Sequence, residues 1–333
     1  MAVPRVIRTV VGVTIVVGLV IAAGINANRS GSGTDVRTKL TVIAPAAPGG
    51  GWDLVAREAQ QALRADGIVN SVTVNNIPGA GGTIGLTTVA QMEGEASIMM
   101  VTGTVMMGGI TRNDSPTKLD ELTPIARLAQ DFEVIAVPKN SPFQTLDDFF
   151  AAWRENPRGL SIGGGSAGGI DHMVAAQLAR AAKVDPADLK YAAYAGGGEL
   201  TINLLSTAPG TVEVGISGYN DFRDLLINGS LRALAVVAPE RIEGLDAPTM
   251  IELGHDGVDV VNWRGLVAPG GLTKEQQAEL IAIVEEMVKT ESWQAAVERN
   301  RWQEWLLTGD EFGEFLTTEQ KRIDKILTDL GLA

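Results

Sequence analysis

The sequence predicts an α/β protein with mainly parallel sheets flanked by helices. Two observations carry this prediction. From Lys39 onward, short apolar runs of strand length alternate with segments of helical period. Several of these runs end in a glycine-rich loop that opens a helix, which is how parallel sheets are connected. The 333 residues, 45% of them hydrophobic, are enough for about two domains.

The elements follow one another along the chain. The apolar runs predict strands at residues 40–44, 72–75, 96–101, 160–162, 191–194, 212–216 and 231–237. Helical periodicity predicts helices at residues 52–65, 83–92, 146–153, 170–183, 199–205 and 221–228. Residues 125–137 form one longer extended stretch. The C-terminal region is expected to be helical, with Thr273 and Asp310 as N-caps, and its tryptophans Trp293, Trp302 and Trp305 are expected to pack in the core or against a partner.

Composition excludes several classes of function. The chain has no cysteine, which rules out disulfides, thiolate metal sites and a lipidated N-terminal cysteine. Two histidines and no cysteine argue against a zinc enzyme. The net charge of −13 repels nucleic acid and anionic lipid, so neither is expected as a partner. Nothing in the sequence requires a metal or an organic cofactor.

The N-terminus is typical of an export segment. Arg5 and Arg8 precede an uncharged run of 17 residues from Thr9 to Ile25. We predict that residues 1–28 are a cleaved signal peptide, with a retained membrane anchor as the alternative, because 17 residues is also about the shortest membrane span. In either case the remaining chain lies outside the cytoplasm.

Glycine-rich loops between strand and helix indicate an anion-binding site. They occur at residues 48–53, 78–85, 163–169 and 195–199. Glycine lets the backbone approach a ligand closely, and the helix start supplies unpaired N–H groups and a partial positive charge. The loops are expected at the carboxyl ends of the strands, where open α/β sheets bind ligands.

Two motifs in the third loop suggest other functions. Gly163, Gly165 and Gly168 match a dinucleotide-binding fingerprint, but Asp185 and Asp188 come before the next strand rather than at its end. Ser166 lies in a G-x-S-x-G sequence typical of serine hydrolases, with His172 and His255 as the available bases. A hydrolase that uses Ser166 is therefore the alternative function, and a hydroxyl donor to a bound anion is the simpler role for this serine.

Four segments together resemble the extracytoplasmic substrate-binding proteins of tripartite tricarboxylate transporters. They cover the chain in the family's order: residues 44–53 (APAAPGGGWD), 76–85 (NIPGAGGTIG), 163–172 (GGGSAGGIDH) and 191–199 (YAAYAGGGE). The resemblance implies a two-lobed type II periplasmic-binding-protein fold that closes like a Venus flytrap. On this basis, residues 36–130 with 240–333 would form lobe 1, residues 131–239 would form lobe 2, and residues 125–137 would make the first crossing.

The resemblance also implies a function without catalysis. A small di- or tricarboxylate would bind between the lobes and pass to a membrane permease, and the protein would act as a monomer. The ligand-binding residues carried over from the family are Pro48, Gly49, Gly50, Gly51, Trp52, Asp53, Thr102, Thr104, Ser166, Ala167, Gly168, Gly169, Tyr194, Gly197, Gly218 and Tyr219. Asp53 is expected to bond loop N–H groups or cap its helix rather than touch an anion. Trp52 is expected to form a wall of the cleft.

Overall fold

The computed structural model describes residues 36–333 apart from residues 207 and 209. The predicted leader at residues 1–28 lies outside the described residues. Within the part that is described, no helix combines the length and apolar character needed to cross a membrane.

Strands and helices alternate along most of the chain. The strands are β1 (Lys39–Ala44), β2 (Ser71–Asn76), β3 (Ile98–Gly103), β4 (Thr123–Asp131), β5 (Glu133–Pro138), β6 (Ser161–Gly164), β7 (Lys190–Ala193), β8 (Val214–Gly218), β9 (Leu231–Val237), β10 (Asn262–Ala268) and β11 (Gln303–Thr308). The helices are α1 (Gly51–Ala65), α2 (Thr83–Ala90), α3 (Thr104–Arg112), α4 (Leu146–Glu155), α5 (Ile170–Ala181), α6 (Gly197–Leu204), α7 (Tyr219–Ile227), α8 (Lys274–Met287), α9 (Glu291–Arg299) and α10 (Gly309–Asp329).

The strands form two separate sheets. One has the order β11-β4-β10-β3-β1-β2 and the other the order β7-β6-β8-β5-β9. Both sheets are mixed rather than mainly parallel. The strands β1, β2 and β3 pair in parallel, as do β6, β7 and β8, whereas β4, β5, β9, β10 and β11 pair antiparallel. The antiparallel strands include those at which the chain passes from one sheet to the other. The sequence pattern did not reveal the direction of these strands.

The chain crosses from one sheet to the other through a single residue. Phe132 alone separates β4, in the first sheet, from β5, in the second. The predicted extended stretch at residues 125–137 is therefore two strands. The return passes through Asn262, which pairs with Asp131 at the start of β10. Both passages thus lie side by side, and the residues of the crossing face the space between the sheets.

The segment between β9 and β10 packs on the second sheet before the return. The backbone N–H of Met250 donates to the carbonyl of Val236 at 2.9 Å, and the ring of His255 contacts that of Phe150 at 5.3 Å between centroids. The lobe boundaries stay a prediction, and these contacts favour a return to lobe 1 near residue 260 rather than 240.

The C-terminal region contains a strand that the sequence pattern did not predict. β11 pairs with β4 at the edge of its sheet, and Trp305 on it is 47% exposed while Trp293 is fully buried. Thr273 caps α8 as predicted, accepting from the Gln276 N–H at 3.2 Å. Asp310 is not an N-cap: Thr308 holds that position, and Asp310 lies inside the first turn of α10.

One contact between the two predicted lobes is made by glycines. Gly108 on α3 faces the carbonyl oxygen of Gly168, which precedes α5, and a Cβ at position 108 would overlap that oxygen. Main chain therefore lies against main chain where the lobes meet, because neither residue has a side chain to separate them.

Candidate ligand-binding cleft

A cleft of about 760 Å³ lies between the two sheets. Its first wall consists of the loops after β1 and β2, and its second wall of the loops after β6, β7 and β8. Asp131, Glu133, Asn262 and Arg264 line it at the crossing. The cleft is therefore at the carboxyl ends of the parallel strands of both sheets, the place where open α/β sheets bind ligands.

Five helices begin at this cleft with glycine as N-cap. Their N-caps all line the cleft, and none makes a side-chain capping bond: Gly50 for α1, Gly82 for α2, Gly169 for α5, Gly196 for α6 and Gly218 for α7. The first N–H groups of a helix have no partner within the helix. The cleft thus collects the positive ends of five helices, with no side-chain oxygen from the N-cap to satisfy them.

Three helices that begin elsewhere have a side-chain cap. Thr145, Thr273 and Thr290 cap α4, α8 and α9, and each hydroxyl accepts a backbone N–H of the first turn. Two others begin away from the cleft without such a cap: α3, whose N-cap is Gly103, and α10, whose N-cap is Thr308. Among the described helices, five of the seven starts without a side-chain cap therefore lie at the cavity.

Acidic residues in the first helical turns fold the glycine loops back. Asp53 accepts the N–H of Gly49 at 2.8 Å, and Glu199 accepts that of Ala195 at 2.9 Å. Asp171 likewise accepts from the N–H of Gly165. These carboxylates face their own loops, so their charge is partly neutralised by backbone donors. The expectation that Asp53 bonds loop N–H groups agrees with this geometry.

Asp53 is held in its charged form. Burial by itself would raise its pKa, but hydrogen bonds from Arg57, Gly49 and Asn76 outweigh burial and keep the pKa below its ordinary value. The Arg57 Nε lies 2.9 Å and the Asn76 Nδ2 2.9 Å from this carboxylate. Asn76 also donates to the carbonyl of Ala46 at 3.0 Å, which ties the loop after β1 to the end of β2.

Trp52 forms part of the cleft wall. Its side chain is 8% exposed and lies against Gly82, where a Cβ would come within 2.7 Å of the ring. Gly82 has a φ of +93°, which glycine adopts without strain. The indole therefore fixes the loop after β2 against α1. Most of the ring is buried, and its exposed edge lines the cleft.

Buried acids lie at the crossing between the lobes. Asp131 pairs with Arg264 at 2.6 Å, and the side chains are 7% and 11% exposed. Glu133 is 1% exposed and accepts from the Asn262 Nδ2 at 3.4 Å. Burial raises the pKa of Asp131 against the pull of Arg264. Burial, and then the nearby Asp171, Asp131 and Asp221 carboxylates, raise the pKa of Glu133 well above its ordinary value.

Most of the sequence-predicted site residues line the cleft or its extension. Pro48, Gly49, Gly50, Gly51, Trp52, Ser166, Gly169, Gly197 and Gly218 line the cleft itself. Ala167 and Gly168 line an adjoining cavity of about 250 Å³ that shares Ser166 and Gly169 with it. Their role as ligand contacts stays a prediction, and the geometry brings them together from both lobes.

Five predicted residues do not line the cleft: Asp53, which holds its own loop, and Thr102, Thr104, Tyr194 and Tyr219. Thr102 is fully buried with its hydroxyl 3.4 Å from the Met106 sulfur. Thr104 is fully buried and donates to the Val261 carbonyl at 2.7 Å. Both threonines therefore support β3 and the return crossing from behind.

The two tyrosines are also turned away from the cleft. Tyr219 is 5% exposed and packs in the core of the second sheet, because α7 begins there and directs its first side chain inward. The half-buried Tyr194 ring lies over Gly163, where a Cβ would come within 3.0 Å of it. Its neighbours Ala195–Glu199 reach the cleft through their backbone.

Sequence reasoning missed the acids of the crossing. Asp131 and Glu133 are two residues apart, so an extended chain directs both side chains to the same face. Two carboxylates on one face of an otherwise apolar run were the available signal. Arg264 is distant from them in sequence, and its ion pair with the buried Asp131 has no local signal.

The geometry does not support a serine hydrolase. His172 is buried, and its Nδ1 accepts the Gly168 N–H at 3.0 Å. Burial and then Arg112 lower its pKa to about 4. His255 packs against Phe150. In the part of the chain that is described, neither histidine hydrogen-bonds to Ser166, so the triad expected for the alternative function is not assembled.

The Asp171 carboxyl should make the free protein less stable as pH rises. Burial raises its pKa to about 7, although the Gly165 N–H opposes this. Between about pH 4 and pH 7 the folded chain therefore binds more protons here than the unfolded chain, so stability falls with rising pH. Asp131, Glu133, Asp221 and Tyr191 are the ionisable neighbours that shape this titration.

We expect Asp171→Asn to flatten this decline, because asparagine keeps an acceptor for Gly165 but cannot ionise. The melting temperature should be measured from pH 4 to pH 8 for the wild type, for this variant and for Asp256→Asn, an exposed control. The slope should correspond to roughly 1 kcal/mol or more over the range, since one pKa unit is worth about 1.4 kcal/mol. An equal decline in all three proteins would contradict the assignment.

Comparison with known proteins gives one consistent relationship. The family described as tripartite tricarboxylate transporter family receptor matches residues 55–332. A protein from the tcbD–tcbE intergenic region of Pseudomonas sp. strain P51 is 28% identical over 253 residues, 75% of this chain and 73% of the relative.

Solved structures share the fold. A TctC solute-binding protein from Polaromonas is similar with a TM-score of 0.69 and 25% identity, over 89% of this chain and 100% of that one. MatC from Rhodopseudomonas palustris, solved with bound malate, is similar with a TM-score of 0.73 and 22% identity, over 87% and 99% of the chains. The two-lobed type II periplasmic-binding-protein fold expected from the sequence is confirmed. The chain belongs to the tripartite tricarboxylate transporter receptor family, whose members are periplasmic solute-binding proteins.

Proposed function

We propose that this protein is exported, captures a small di- or tricarboxylate between its lobes and delivers it to the permease of a tripartite tricarboxylate transporter. The observation that carries the proposal is the convergence of five uncapped helix N-termini on one cleft. Charged ligand oxygens satisfy such N–H groups, and the helix dipoles favour negative charge at the same point.

Backbone donors are sufficient for useful affinity. A hydrogen bond to a charged group contributes roughly 1.5–3 kcal/mol. Four to six such bonds reach micromolar binding, about −8 kcal/mol, after the costs of ordering the ligand and loops. The glycine loops therefore supply the attraction that the acidic chain as a whole does not provide.

The ligand is proposed to stabilise the closed arrangement by touching both lobes. The loop at Pro48–Gly51 belongs to the first sheet, and the loop at Ser166–Gly169 belongs to the second. A ligand held by both contributes binding energy only when the lobes are together, so it shifts the population toward closure. The closed form is then the state presented to the permease.

Capture rather than catalysis is the role that we assign to Ser166. Its side chain is exposed at the mouth of the cleft, next to the uncapped start of α5. A hydroxyl at this position donates to a bound carboxylate. Malate in the structurally similar MatC is the kind of ligand that this arrangement fits.

Carboxylates should raise the melting temperature of the protein. A ligand that binds only the folded state stabilises it by mass action, by about 2.7 kcal/mol at a hundredfold excess over the dissociation constant. Differential scanning fluorimetry with succinate, malate, aspartate and citrate, against glucose and putrescine, measures this. Shifts from the sugar or the diamine without any shift from the acids would overturn the proposal.

Gly50→Val should weaken carboxylate binding at least tenfold while the protein remains folded. Gly50 has an extended φ of −77° and ψ of 166°, which valine adopts readily. Its Cβ would lie 3.3 Å from the Ala47 carbonyl, so the branched side chain would crowd the loop whose N–H groups face the cleft. Titration calorimetry should compare it with Gly257→Val, an exposed site with open space around it. Unchanged affinity in Gly50→Val would argue against this loop as a ligand contact.

Gly108→Ala should hinder closure. The added methyl group would overlap the Gly168 carbonyl, so the lobes could not reach their present approach. Small-angle X-ray scattering should then detect less compaction on ligand addition than in the wild type, with a lower affinity. Alanine favours the helix, so the melting temperature without ligand should not fall. Wild-type compaction in this variant would show that the glycine contact does not limit closure.

A further inference from the structure

The ionisable groups that line the cleft are mostly acidic. Arg264 is the single basic side chain among the described lining residues, against the carboxyls of Asp131, Glu133, Asp171, Glu199 and Asp221. A ligand that carried only negative charge would be repelled by those carboxyls that are ionised, and these groups already raise the pKa of one another. The wall therefore has a preference of its own, separate from that of the glycine loops.

Some of these carboxyls already have donors. Glu199 and Asp171 accept loop N–H groups, as described above, and Asp221 accepts the Ser217 hydroxyl at 2.7 Å. The Oδ2 atom of Asp131 forms an ion pair with Arg264, and this pair also compensates the positive charge of the arginine. These groups hold loops and strands together, and they leave Arg264 with little attraction for a second ligand carboxylate.

Two buried carboxyl oxygens have no donor. The Oδ1 atom of Asp131 and the Oε2 atom of Glu133 receive no hydrogen bond from an amide, hydroxyl or basic group of the described residues, although the Glu133 carboxyl also pairs with that of Asp171. The two residues are 5% and 1% exposed and both line the cleft. A buried acceptor without a donor is costly, so these oxygens indicate a donor that the chain itself does not supply.

The missing donor is best matched by an ammonium group. No three acidic or histidine side chains of the described chain are grouped closely enough to hold a metal ion. A quaternary amine has no N–H to give to the unpaired oxygens, whereas a primary ammonium has three. It also brings the positive charge that several nearby carboxylates favour.

We propose that the wall formed by Asp131, Glu133, Asp171 and Asp221 receives a primary ammonium group of the ligand, so that the preferred solute is an amino acid rather than a simple organic acid. This inference rests on the proposed function, because the glycine loops must hold the carboxylate of the same molecule. The ligand then spans the cleft, with its negative end at the helix N-termini and its positive end at the crossing.

The test compares ligands of equal size that differ in one group. Aspartate and malate differ only by an ammonium in place of a hydroxyl, as do 4-aminobutyrate and 4-hydroxybutyrate. We expect titration calorimetry to give at least tenfold tighter binding for the better ammonium compound than for its hydroxyl partner. Putrescine, which has ammonium groups but no carboxylate, is expected not to bind.

Variants locate the effect on the acidic wall. Glu133→Gln and Asp221→Asn keep the shape of each side chain and replace its carboxyl group by an amide that cannot ionise. Each should lower the affinity for the ammonium ligand several-fold and leave that for malate unchanged or higher. Asp256→Asn, an exposed position that does not line the cleft, is the matched control. Loss of ammonium selectivity is measured as a ratio of affinities, so it is separable from a change in folding, which the melting temperature reports.

The outcomes separate the two proposals. Binding of malate as tight as that of aspartate, with 4-hydroxybutyrate equal to 4-aminobutyrate, would overturn the ammonium site and leave the carboxylate receptor standing. Binding of no carboxylate, or of putrescine alone, would overturn the proposed function and the zwitterionic ligand with it. An ammonium preference that persists in both Glu133→Gln and Asp221→Asn would overturn the location.

Discussion

The backbone N–H groups at five helix starts, which receive no side-chain cap, are the constraint on which the cleft depends. Each helix begins with glycine where a serine or threonine would have supplied its own oxygen. The fold tolerates these open ends because they face a cavity rather than packed side chains. The strand order of both sheets brings them there, since the parallel strands of each sheet end at the cleft.

The acids beside the loops follow from the same constraint. A glycine loop has little conformational preference, so something must hold it in one shape. Asp53, Asp171 and Glu199 do so by accepting N–H groups at the base of their loops. Asp53 lies outside the cleft lining, whereas Asp171 and Glu199 line the cleft and hold their loops at the same time.

The sequence predicted the repeating part of this architecture and missed the connecting part. Helix α1 and the loop before it were readable because an apolar strand, a glycine run and an amphipathic helix are all local patterns. β11 was not, because its residues are largely exposed and it is a strand only through pairing with β4. Thr102 and Thr104 were placed in the cleft by analogy of position, whereas their hydroxyls are used within the fold. Asp131 and Glu133 matter because they contact Arg264 and Asn262, which are distant from them in sequence. No local pattern reveals such contacts.

The glycine pair Gly108 and Gly168 has a consequence for recognition by a membrane partner. Because peptide backbone meets peptide backbone there, the proposed closure would end at this contact whatever the size of the captured solute. Solutes of different bulk would therefore leave the outer surface with the same contour. A permease that binds this surface would distinguish the ligand-bound receptor from the free one. The selection among solutes would then be made by the cleft alone.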